Sequence, residues 1–237
     1  MKRSIRIAFS FAKNNSAVSS IEFALIVPVC ILLLLAGIDL ARYIIFGSKC
    51  TAVANSIGEM IAVTPSNSNA STIGDGLINS SDIQTYYKSA AFTFPEMLSQ
   101  NTQGGQYWQQ ILQINISSIS FSVSPNACTT SCQYTPKLDW TFSSAAGTKF
   151  GGKDVIRQCG INFNKVSDVA SYSSDSLPSS VFSTRSLIVV DVFYRFEPLF
   201  FLTPFLSGQI IERSIYFPPR FVPSIEASVD KSIFVCN

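Results

Sequence analysis

The sequence predicts an α+β protein with one membrane-spanning helix, and three observations carry that prediction. Residues 23–38 hold no charged side chain. Apolar residues then recur at spacings near three and four as far as about Val63, and again from Ile83 to Phe94, which is the period of amphipathic helices. From Tyr107 the period falls to two, the alternation of strands that bury one face.

The first helix follows from the uncharged run. Sixteen residues at a helical rise of about 1.5 Å cover roughly 24 Å, a little less than a hydrocarbon core of about 30 Å. Adding Ile21 on one side and Leu40 to Phe46 on the other makes the segment long enough to span. Glu22, Asp39 and Arg42 are its only charges, and Asp39 and Arg42 stand three apart, where they can pair on one face. A carboxylate at the edge of an apolar helix is disfavoured, so Glu22 is either a boundary residue or a functional one. Pro28 lies one turn beyond Phe23 and predicts a kink. Ala41, Ile44, Ile45, Ser48, Ala52, Ile57 and Ile61 extend the period until Pro65-Ser-Asn-Ser-Asn breaks it, so the helix is expected to exceed forty residues.

Lys2, Arg3, Arg6 and Lys13 precede the span, and no acid stands among the first twenty-one residues. That asymmetry places the N-terminus on the cytoplasmic side. Since the whole chain carries +2, everything after the arm sits near −2, without the basic stripe that nucleic acid requires. Hydrophobic content of 47% and a mean hydropathy of +0.29 are high for a soluble protein, and the span accounts for part of both.

The rest of the chain, residues 65–237, is expected to form the head. Ser80-Ser-Asp82 supplies an N-cap and an acidic first turn for a second helix, with Ile83, Tyr86, Tyr87, Ala90, Ala91 and Phe94 on its buried side. Residues 99–105 form a polar loop. Ile114 to Val123 alternates apolar and small polar residues, predicting a half-buried strand with one solvated face, and Leu138 to Phe142 alternates likewise. Residues 143–177 give little strand signal. Ser186 to Phe196 is the strongest strand, apolar enough to be central, and Gln209 to Phe217 is the last main one before Pro218-Pro-Arg220. Pro198-Leu-Phe-Phe-Leu-Thr-Pro-Phe-Leu206 is too short and too broken for a second span; it is either a covered loop that finishes the core or, the reading its prolines favour, an exposed contact segment for another subunit or the membrane surface.

The chain has no histidine, which removes the commonest general base, the Ser-His and Cys-His nucleophile pairs and the usual zinc ligand. No motif arranges carboxylate or Ser-Lys chemistry, and the sequence implies no cofactor and no enzyme. Of the six cysteines, Cys30 falls in the span. Cys50, Cys128, Cys132, Cys159 and Cys236 follow it and are disulfide candidates in an oxidising compartment. Cys128-x-x-x-Cys132, with no second close pair, is a poor metal site. The expected pairing joins Cys159 to Cys128 or Cys132.

The stretch Ser16-Ala-Val-Ser-Ser-Ile-Glu-Phe-Ala-Leu-Ile-Val-Pro28 resembles the N-terminal signature of TadE-like pseudopilins, minor pilins of the tight-adherence (Flp) branch of the type IV pilus family. Val-Asp-Val-Phe-Tyr-Arg-Phe-Glu-Pro-Leu-Phe and the later Phe-Pro-Pro-Arg are similar to the C-terminal part of such proteins. The resemblance implies a pilin-like head and cleavage by a prepilin peptidase between Ala17 and Val18, leaving residues 1–17 as leader and 18–64 as the extended helix. The family usually has Gly before the cut, where this chain has Ala17. The resemblance further implies that Glu22 docks the helix in assembly. The implied partners are other TadE/TadF-type pseudopilins, the Flp major pilin and an inner-membrane assembly platform. The competing reading is a membrane-anchored extracytoplasmic binding module or enzyme unrelated to pili.

Overall fold

A computed structural model describes residues 15–72, 74–95, 111–124, 132–144, 149–150, 152–168, 172–200, 207–228 and 233–236, without the side chains of 15–21, 124, 153, 233 and 234. The basic arm, the 99–105 loop, Cys128 and residues 201–206 lie outside the described residues.

The order is α1 (Asn15–Ala62), β1 (Gly76–Ile78), α2 (Ser80–Thr93), β2 (Leu112–Ser124), β3 (Gln133–Ser143), β4 (Lys149–Phe150), β5 (Lys153–Asp154), β6 (Asn164–Val166), β7 (Ser176–Pro178), β8 (Leu187–Phe196), β9 (Gln209–Phe217), β10 (Ile225–Ala227) and β11 (Ile233–Val235). The fold is α+β. Two compact units divide it: residues 1–44 with 197–207, and residues 45–196 with 208–237.

In the first unit, α1 keeps its helical state through Pro28. Its apolar side chains face outward: Phe23, Leu25, Leu33 and Leu34 are all more than 60% exposed. Among the described residues this is the one helix long and apolar enough to cross a membrane.

The second unit is built on an antiparallel sheet ordered β11-β3-β2-β8-β9. Its two faces follow from the register. Ile114 and Ile116 share a face with their partners Val192 and Val190, and with Arg213 and Ile215 beyond them. That face carries the C-terminal part of α1 and α2. Phe46 stacks on Tyr194 with ring centres 4.7 Å apart, Phe94 stacks on the same ring at 5.4 Å, and Tyr87 meets Phe142 edge-on. Gly58 permits the closest approach of helix to strand, since a Cβ there would lie 2.1 Å from the Phe217 ring. Asn79, not Ser80, is the N-cap of α2, and the Asp82 carboxylate accepts the Asn79 N–H at 3.2 Å.

The opposite face of β2 is not solvated, contrary to the expectation from its alternating small polar residues. Gln113, Asn115 and Ser117 are all fully buried. The segment between β3 and β8 covers them, and each of the three has a hydrogen-bond partner in that segment or on β3. Asn115 Nδ2 donates to the Val155 carbonyl at 2.8 Å, Gln113 Nε2 donates to Ser143 Oγ at 3.1 Å, and the hydroxyls of Ser117 and Thr141 bond at 3.1 Å. The alternation rule identified the strand correctly but assigned water to a face that protein occupies. Two apolar clusters flank this polar strip. One contains Ile119, Leu138, Leu177, Leu187 and Val189, the other Phe150, Val155, Ile156 and Phe193.

Candidate functional site

Three places hold the groups that chemistry or assembly would use: the helix of the first unit, the buried ion pair of the second, and the cysteines.

On α1, Ala17 and Val18 have helical backbone, and Glu22 is exposed at the start of the uncharged run. Asp39, at the other end of that run, is fully buried. The i,i+3 spacing brings Arg42 Nη1 to 3.8 Å from Asp39 Oδ1, the pairing the sequence predicts. The sequence did not reveal what else the carboxylate holds. Asp39 Oδ1 accepts the backbone N–H of Leu199 at 2.9 Å, and Oδ2 that of Phe200 at 3.3 Å. Both acceptor oxygens are thereby committed to a segment 160 residues away in sequence. The glycine that lets this segment leave and rejoin the sheet is Gly208, at φ +69, whose N–H donates to the Phe196 carbonyl at 3.1 Å.

In the second unit Arg157 and Asp191 are both fully buried. Arg157 Nε donates to Asp191 Oδ2 at 2.9 Å and Nη2 to Oδ1 at 3.3 Å, a two-point contact. Nη1 donates to the Ser176 carbonyl at 2.9 Å, and Ser214 Oγ donates to Asp191 Oδ1. Burial works against the guanidinium charge, but the Asp191 carboxylate outweighs it and leaves Arg157 even harder to deprotonate than usual. Burial and Asp191 also push the nearby Tyr172 hydroxyl up, out of the physiological range. A guanidinium that stays charged and a phenol that stays neutral, both with bonded partners, offer neither a base nor a nucleophile. This cluster clamps the segment between β3 and β8 onto the sheet. Among the described residues no group of histidine, cysteine or carboxylate side chains is arranged to hold a metal ion.

The cysteines depart from the expected pairing. Cys159 is bonded to Cys236, across a sequence separation of 77, and not to Cys128 or Cys132. Cys132 is disulfide-bonded as well. Cys50 is a free thiol, completely buried on α1, so this disulfide candidate fills core space as a small apolar side chain. Cys30 is free and exposed on the span.

The fold thus presents a helix long and apolar enough to cross a membrane, whose C-terminal part packs in the core of an α+β unit. The family model described as TadE-like protein matches residues 17–57, which run from Ala17 through the span and into the buried part of α1. The N-terminal segment is therefore similar to TadE-like proteins. No curated protein and no solved structure matches the chain.

Proposed function

We propose that the chain is a structural minor pilin, a pseudopilin that takes part in initiation, tip formation or assembly of a tight-adherence pilus used for surface adhesion. The observation that carries this reading is the coincidence of the TadE-like match with a helix whose apolar side chains face outward along residues 23–38 and whose exposed carboxylate Glu22 sits at the entry to that uncharged run.

The physical logic is one of alternative environments. In a bilayer the apolar side chains of residues 23–38 are satisfied by lipid, while Glu22 lacks a partner or is drawn to the interface, at a cost of a few kcal/mol. In a bundle of pilin helices the apolar surface packs on other apolar surface, at little cost relative to lipid. There the carboxylate can meet a cation on a neighbour. Transfer from membrane to bundle is then favoured at Glu22 and nearly neutral elsewhere.

In this reading a prepilin peptidase cuts between Ala17 and Val18 and removes the basic leader. The N-terminus is cytoplasmic, the helix lies in the inner membrane until assembly, and the head is periplasmic, where Cys159 and Cys236 are kept oxidised. Other TadE/TadF-type pseudopilins, the Flp major pilin and the inner-membrane assembly platform are its partners. Intact-mass measurement of protein purified from membranes tests the processing step. A chain beginning at Val18 is expected; one that retains Met1 in cells with an active prepilin peptidase would refute the pseudopilin reading in favour of a plain anchor.

A further inference from the structure

We propose that the corner formed by Leu199 and Phe200 is a lipid contact, seated in the bilayer interface at the Asp39 end of the span. The proposal rests on the membrane-spanning reading of α1 and adds to it a second point of attachment.

Three observations point to lipid. The first is position. Asp39 is the first charge after the uncharged residues 23–38, so it stands in the last turns of the span, towards the interface. Its carboxylate holds the backbone of Leu199 and Phe200 at that same level, at 2.9 and 3.3 Å. The second is surface continuity. Leu199 is 61% exposed, and on the adjoining helix Ile38 and Leu40 are exposed too, at 39% and 53%. Together they extend the outward-facing apolar surface of the span sideways onto the corner. The sequence from Pro198 to Leu206 contains no charge.

The third observation concerns the polar backbone. An irregular segment can enter a low-dielectric layer only if its N–H groups are satisfied by protein, because no water is there to take them. Asp39 takes the two N–H groups at the corner, and Arg42 at 3.8 Å offsets the carboxylate charge. A corner meant for bulk water would have no use for a buried carboxylate to solvate its amides. Residues 201–206 lie outside the described residues, so the contact is assigned to Leu199 and Phe200 alone.

The experiment places a nitroxide spin label at Leu199→Cys, in a full-length Cys30→Ser background reconstituted into vesicles of equal parts phosphatidylcholine and phosphatidylglycerol. Collisions with oxygen, which concentrates in lipid, are compared with collisions with a water-soluble nickel chelate. A second label at Leu32→Cys, on the exposed face of the span, is the lipid reference. The expected result is loss of nickel collisions at both positions with oxygen collisions retained. Nickel access at 199 with none at 32 would overturn the lipid contact and leave the span intact. Shielding of 199 from both reagents would overturn it in favour of a protein partner. Nickel access at 32 would overturn the span and this proposal with it. Adding Asp39→Ala to the Leu199 label is expected to restore nickel collisions at 199.

Discussion

Replacing Asp191 with alanine leaves a fully buried guanidinium without its carboxylate. Arg157 makes two bonds to Asp191 and keeps two others, to the Ser176 carbonyl at 2.9 Å and the Ser174 carbonyl at 3.4 Å. Removing one member of a buried ion pair typically costs about 3–5 kcal/mol, since the remaining charge loses its compensation. The two surviving carbonyl bonds favour the lower end, about 3 kcal/mol, while the orphaned Ser214 hydroxyl adds to the loss. Against a total stability of about 5–15 kcal/mol, that is a large fraction. Asp191→Asn keeps an acceptor for Arg157 and Ser214 and should lose less, about 1–3 kcal/mol. The double variant Arg157→Met/Asp191→Leu removes both charges from between two apolar clusters, and should lose clearly less than the sum of Arg157→Met and Asp191→Leu. The assay is urea unfolding of the full chain in detergent, followed by fluorescence of tryptophan, of which Trp140 is buried with its Nε1 bonded to the Ile225 carbonyl at 2.7 Å. A loss below about 0.5 kcal/mol for Asp191→Ala, as for a surface site, would refute the clamp.

Two further expectations follow from the head. Cys159 and Cys236 should resist alkylation until a reductant is added, and Cys50 until the chain is unfolded; losing the Cys159–Cys236 bridge should cost about 2–5 kcal/mol, read as a lower urea midpoint. Burial pushes the Glu226 carboxyl up, but the N–H groups of Ser71 and Thr72, at 2.7 and 3.2 Å, outweigh it and hold it below its usual value. A carboxylate held low contributes stability above its ordinary pKa of about 4.5 and loses it as pH falls through the lower folded value. The protection of the Ser71 and Thr72 amides, measured against their intrinsic exchange rates, should therefore be high near neutral pH and fall as the Glu226 carboxylate is protonated in acid, ahead of the β2 amides; amides with no protection at neutral pH would contradict the tether.

How much of this the sequence discloses depends on whether a feature repeats locally. The span, the continuation of α1 into the head, α2 and the four long strands all carry a period, and all are legible from it. The Asp39–Arg42 pair is legible too, because helical spacing sets it. The three-residue strands β1, β6, β7, β10 and β11 are too short to show any alternation. The buried strip on β2 is not legible, because alternating polar residues look the same whether they meet water or a covering segment. Arg157 lies in an irregular stretch with no pattern to mark it, and its partner Asp191 is one acid in an otherwise apolar strand. Disulfide connectivity does not follow from spacing, so Cys236 was not identified as the partner of Cys159. The capture of two backbone amides by Asp39 joins residues 160 apart and leaves no trace in either local sequence.

The central claim is that Glu22 serves assembly and not folding or insertion, and the variant Glu22→Ala tests it most directly. Removing a carboxylate from the edge of an apolar helix should leave insertion unharmed or slightly improved. The head lies far along the chain, and its Cys159–Cys236 bond should form as before. Membrane abundance, cleavage and non-reducing mobility are the controls, and pilus number by electron microscopy with capture of the partner pseudopilin is the readout. The account predicts a variant as abundant as wild type in the membrane, correctly cleaved and oxidised, that neither captures its partner nor supports pili. An abundant, correctly cleaved variant with normal piliation and normal partner capture would contradict it, and would make Glu22 a boundary residue only.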